Sequence, residues 1–63
     1  MNNPVPPREP LLTVLEVALA LNTSEKTVRR RIKAGELPVI QDGRIVRIRP
    51  DDLRAYIALR RIG

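Results

Sequence analysis

Between Thr13 and Pro38 the chain carries start and stop signals at close spacing, and they divide it into two short helices. Thr13 and Glu16 have the S/T-x-x-E spacing in which each side chain bonds the other residue's backbone N–H at a helix start. Leu12 and Val17 fall at the staple positions on either side of that cap. Val14, Val17, Ala18 and Leu21 recur at i, i+3, i+4 and i+7, which makes one buried stripe. This helix is expected to end near Leu21 or Asn22, because Asn tolerates the left-handed conformation of a tight turn. Ser24 then offers an N-cap for a second helix over about Glu25 to Ala34. Gly35 supplies its stop, and Pro38 forbids continuation.

Two short helices joined by a few residues have helix-turn-helix spacing. Beyond them, Val39-Ile40-Gln41 and Arg44 to Ile48 flank Asp42-Gly43. Asp-Gly between β-branched runs predicts a hairpin whose two turn positions both take positive φ. Val46 and Ile48 would face the core, with Ile45 and Arg47 facing away. Pro50 suits the first position of a last helix, and Asp51 and Asp52 suit its positive end. Leu53, Tyr56, Ile57 and Arg60 share a face of that helix. The fold expected is α+β: about three helices with a two-stranded hairpin, spanning 11–63. Residues 1–10 hold Pro4, Pro6, Pro7 and Pro10 and read as a flexible, polyproline-like tail. A minor-groove arm is the other reading of this tail, with Arg8 its one base and Glu9 opposing it.

Sixty-three residues allow one small domain, which buries only about 60% of its unfolded surface. The chain has neither Cys nor His. That excludes disulfides, Cys/His zinc sites, thiol chemistry and imidazole bases, so no metal or cofactor is expected. No apolar run approaches the roughly 20 residues of a membrane span, and the start lacks the order of a signal peptide. A cytoplasmic location is the expectation.

Charge narrows the partner. Twelve Lys and Arg oppose seven Asp and Glu, for a net of +5. Residues 26–49 alone carry a net of +6, and the remainder a net of −1. A localised basic surface suits a polyanion, although a solvated face that aids solubility has the same composition. Tyr56 is the sole aromatic residue. Single-strand binders stack bases on several aromatic faces, so duplex DNA fits better.

With about 100° between successive residues, Val28 and Ile32 mark the buried side of the second helix. Lys26, Arg30 and Lys33 lie opposite, flanked by Arg29 and Thr27. Arg31 falls at the edge of the buried face, where its stem packs and its head reaches water. Such a helix can lie in a major groove, where Arg bonds guanine bidentately. Glu25 either caps the helix or accepts from cytosine. Arg44 and Gln41 at the hairpin tip, with Arg47 beyond, would follow the backbone or enter the minor groove. For Arg44, an exposed turn residue that suppresses aggregation is the alternative. The candidate DNA contacts are therefore Ser24, Lys26, Thr27, Arg29, Arg30 and Lys33 from the second helix and its cap, with Gln41, Arg44 and Arg47 from the hairpin.

A family resemblance rests on Leu11-Leu12-Thr13, Val17-Ala18, Leu21-Asn22, Ser24, Thr27-Val28, Arg30 and Ile32. It continues through Gly35-Glu36-Leu37-Pro38, Gly43-Arg44, Arg47-Ile48 and Asp52-Leu53 to Tyr56. Together these resemble the excisionase-type, MerR-like winged helix-turn-helix family over residues 11–57, with Gly-Glu-Leu-Pro the most specific part. The resemblance implies a small winged helix-turn-helix whose second helix enters the major groove and whose wing contacts the minor groove or phosphates. Excisionases, or recombination directionality factors, bind several sites in a row, bend DNA and help a phage integrase run excision. Regulators of the AlpA type share the domain and control transcription. True MerR regulators add a dimerisation helix and an effector domain, for which the chain has no room. Two pairs of positions depart from the pattern. Leu15 and Leu19 stand where polar residues are common. They form either a wider core against the last helix or an apolar patch for a protein contact. Arg29 and Arg31 stand where an aromatic and a leucine are common.

The expected function is sequence-specific binding of duplex DNA by an architectural protein. In the lead reading it is an excisionase loading cooperatively on direct repeats beside copies of itself, with an integrase as partner. The alternative is an AlpA- or MerR-like transcriptional regulator. An enzyme is not expected. Tyr56 as a recombinase nucleophile sits in an apolar stripe with no His to assist it, and Asp51 and Asp52 read as helix-start residues rather than metal ligands.

Overall fold

The computed structural model describes residues 10–60. Residues 1–9 of the expected tail lie outside them. The order of elements is α1 (Val14–Ala20), α2 (Glu25–Lys33), β1 (Ile40–Asp42), β2 (Ile45–Arg47) and α3 (Pro50–Arg60). This is the three-helix, two-strand α+β winged helix-turn-helix architecture expected from the sequence.

The local signals operate as the residue chemistry predicts. At the start of α1, Glu16 N–H donates to Thr13 Oγ1 at 3.0 Å, and Thr13 N–H donates to Glu16 Oε1 at 2.8 Å. Both helices then end in the same double hydrogen bond around a left-handed residue. In α1 that residue is Asn22, at φ 57°; its N–H reaches Leu19 O at 3.1 Å, and Thr23 N–H reaches Ala18 O at 2.9 Å. In α2 it is Gly35, at φ 78°, with Gly35 N–H to Ile32 O and Glu36 N–H to Arg31 O, both at 3.0 Å. Ser24 accepts from Thr27 N–H at 3.1 Å and so starts α2 directly after the turn.

Val14, Val17 and Ala18 from α1, Val28 from α2, Leu37, Ile48, and Leu53 and Tyr56 from α3 form the core. Leu12, Leu21, Ile32, Val39 and Val46 pack on its margin. Among the described residues no polar or charged residue is buried. Full burial of an Ile or Leu side chain contributes roughly 1.5–3 kcal/mol. Leu37 and Ile48 are the largest side chains that reach this state. Leu37 had no periodic neighbours to announce it; a lone leucine between Gly35 and Pro38 was the available signal.

The hairpin departs from expectation in its turn. Asp42 pairs with Ile45, Gln41 with Val46 and Ile40 with Arg47. The two-residue loop is therefore Gly43-Arg44, one residue later than Asp42-Gly43. Only Gly43 takes positive φ, at 61°. A loop with glycine at its first central position needs no left-handed side chain at the second, so Asp42 stays in the strand and Arg44 moves to the tip. Val46 and Ile48 face the core as expected, while Ile45 is exposed. Arg47 is half-buried, and its Nη1 donates to Val46 O at 2.8 Å.

Two further placements differ. Leu15 and Leu19 are 51% and 70% exposed, which rules out a wider core against α3. Ile57 is also exposed, so α3 buries Leu53 and Tyr56 without it. A contact absent from the local signals ties the chain together. Leu12 N–H donates to Ile48 O and Ile48 N–H to Leu12 O, both at 2.8 Å, making an antiparallel bridge between the entry to α1 and the end of β2.

Candidate nucleic-acid interface

Helix α2 is held by Val28 at the core and Ile32 at its margin, and this fixes what it shows to solvent. Lys26, Arg30 and Lys33 are exposed on the opposite side. Among the described residues these three and Arg44 have no acidic partner in an ion pair, so their charge is available to an external anion. Two of the four departures from the family pattern, Arg29 and Arg31, take the shoulders on either side of this ridge, where both are exposed and leave Val28 buried.

The shoulders differ in their neighbours. Arg29 faces the wing: Thr13, Leu15, Glu25, Arg29, Arg44 and Arg47 are among the residues lining one open groove. Within it Arg29 Nη2 meets Glu25 Oε1 at 3.3 Å, one turn away. Glu25 thus braces Arg29, and Ser24 does the capping. An exposed pair of this kind is worth about 0–1 kcal/mol, so it orients the guanidinium without locking it. Arg31 faces away from the wing, beside Thr23, Thr27 and Tyr56.

The remaining candidates are placed by local bonds. Ser24 Oγ donates to Thr27 Oγ1 at 3.0 Å while it caps α2, so both hydroxyls sit at the first turn of the helix. Gln41 Nε2 donates to Gly43 O at 3.2 Å and braces the wing's turn. That bond holds the exposed Gln41 side chain to its own turn and leaves Arg44 as the cation at the tip. The structure brings Arg29, Arg44 and Arg47 to one groove and sets Lys26, Arg30 and Lys33 on the ridge beside it. Arg31 lies outside the set of contacts expected from the sequence.

An apolar-backed basic helix with a basic wing at one side is the arrangement that docks in a major groove and touches the adjoining backbone. Among the described residues no helix is long and apolar enough to cross a membrane. No curated protein and no solved structure matches the chain. A family model described as a helix-turn-helix domain matches residues 11–61, from the entry to α1 to the end of α3. That match covers most of the chain and suggests DNA binding: the protein belongs to the helix-turn-helix domain family.

Proposed function

We propose that the protein binds duplex DNA in a sequence-dependent way as an architectural factor of the excisionase type. The unpaired ridge of Lys26, Arg30 and Lys33 is the observation that carries this reading. A basic ridge along one helix suits a major groove, with base edges within reach of Arg30 and phosphates within reach of its neighbours. Arg44 and Arg47 serve the adjacent backbone or minor groove from the wing. A domain this small makes a modest interface, so neighbouring copies on adjacent sites supply the missing affinity. The exposure of Leu15 and Leu19 supports such contacts, because two leucines one turn apart on α1 offer an apolar patch to a protein partner. Successive copies would curve the DNA and help a site-specific integrase run excision.

The test is selection of bound sites from a random duplex library long enough for several copies. Tandem direct repeats are expected. Inverted repeats, or one isolated site, would favour a transcriptional regulator on the same scaffold. With about five phosphates neutralised per copy, log affinity should fall against log salt with a slope near −4 to −5. A flat salt response would remove the electrostatic basis of the proposal.

A further inference from the structure

The shoulder of α2 that faces away from the wing carries a charge cluster that neither the core nor the proposed contacts use. Arg31 projects there, about 80° from the centre of the buried face, which mirrors Arg29 on the wing side. Its guanidinium lies 3.6 Å from Glu36 Oε1, beyond ordinary hydrogen-bond distance. The same oxygen accepts a hydrogen bond from Arg60 Nη2, which reaches it from the end of α3. Arg60 is fixed by more than this bond. Its guanidinium stacks 3.7 Å from the ring centroid of buried Tyr56, and Nη1 donates to Tyr56 O at 3.4 Å. One carboxylate therefore stands between two cations, bonded to one and only near the other. Thr27, Arg30, Arg31, Lys33, Ala34 and Glu36 line the hollow on this side, where Glu36 is the only acid.

We infer that Arg31 is a phosphate contact on the side of α2 opposite the wing, and that Arg60 keeps it available by holding the Glu36 carboxylate. The inference rests on the duplex-binding reading. A helix in the major groove has a phosphate backbone on each side. Arg44 and Arg47 reach the one beside the wing, and Arg31 is the shoulder cation turned toward the other. Glu36 is the local competitor for that cation. Arg60 is a positioning residue: it binds the competitor and does not itself touch DNA.

The experiment is a set of mutant cycles read as duplex affinity across a salt series, on the selected site and on an unrelated sequence. Arg31→Ala is expected to weaken binding about tenfold on both sequences and to lower the salt slope by about one. Arg60→Gln is expected to weaken binding about threefold through Glu36, and that loss should vanish when Arg31→Ala or Glu36→Gln is also present. An equal loss in the Arg31→Ala background would overturn the inference, since Arg60 would then act through its own charge or through the fold. Glu36→Gln keeps the Arg60–Tyr56 stack and gives an independent arm. It should tighten the parent protein about threefold more than it tightens Arg31→Ala, and equal tightening would overturn the inference. Failure of the parent protein to bind any duplex at low salt would instead remove the DNA-binding reading, and the inference with it. Binding by the parent with no coupling among Arg31, Glu36 and Arg60 removes the inference alone.

Discussion

The helical pair and the wing are built to different standards of rigidity. Helices α1 and α2 each place a fully buried valine, Val17 and Val28, in the core, and each closes with a doubly bonded left-handed stop. All three residues of β1 are exposed, and β2 is half-buried at best. A two-stranded hairpin is marginally stable by itself, so the wing depends on its root, where Ile48 is fully buried and bridged to Leu12. The ridge on α2 thus has a fixed geometry suited to reading bases. The wing tip can open at lower free energy and settle against a backbone whose shape varies. On the proposed reading, sequence reading and shape adaptation fall to separate parts of a very small domain.

Substitutions of matched type can break or sharpen this contrast. The largest expected effect is at the wing's root: Ile48→Ala should lose about 2–5 kcal/mol of stability, enough to unfold much of a marginal domain. The same change at exposed Ile45, within the wing, should stay within about 0.5 kcal/mol. Urea unfolding followed by far-UV circular dichroism measures both, and equal losses would erase the distinction between root and wing. In DNA binding, Arg30→Ala should cost roughly 1–3 kcal/mol on the preferred site and relax one base preference. Arg44→Ala should weaken all sequences alike and lower the salt slope by about one. An Arg30 loss that is uniform across sequences would assign it to phosphate as well.

Glycine offers a finer comparison. An added Cβ at Gly35 or at Gly43 meets nothing within 4 Å, so the left-handed backbone alone sets the cost of alanine. That cost is about 1–2 kcal/mol in each case. Gly35→Ala should lower global stability, whereas Gly43→Ala should speed hydrogen exchange at β1 and β2 amides and spare those of α1 and α2. Matching exchange patterns would mean that wing and helices open as one unit. The smallest expected change is in Leu15→Glu combined with Leu19→Glu. Stability should hold within about 0.5 kcal/mol because both side chains are already exposed, while cooperative binding to adjacent sites weakens. Unchanged cooperativity would remove this face from any contact between copies.

What could be read from the sequence follows from the range of each interaction. Thr13 with Glu16, Ser24 with Thr27, and the stops at Asn22 and Gly35 are complete within a few residues, and all are found where the residue types place them. The ridge of α2 follows from one helical period. The bridge between Leu12 and Ile48 joins segments far apart in sequence through backbone atoms that every residue has, so no side chain signals it. Leu15 and Leu19 were ambiguous because a helix shows which residues share a face without showing what covers that face. The Arg31–Glu36–Arg60 cluster needed the meeting of two helix ends. The hairpin turn fell one residue later than expected because Asp-Gly and Gly-Arg both satisfy a two-residue loop, and cross-strand pairing decides between them.

The Leu12–Ile48 bridge also sets the path by which mechanical force enters the domain. Tension along the chain ahead of Pro10 meets the paired 2.8 Å backbone bonds at Leu12 before it reaches the first turn of α1. Ile48 lies directly between β2 and α3, so the load divides between the wing and the last helix. A cargo tethered on that side would pull first on the root of the wing, before the load passes on to the helices.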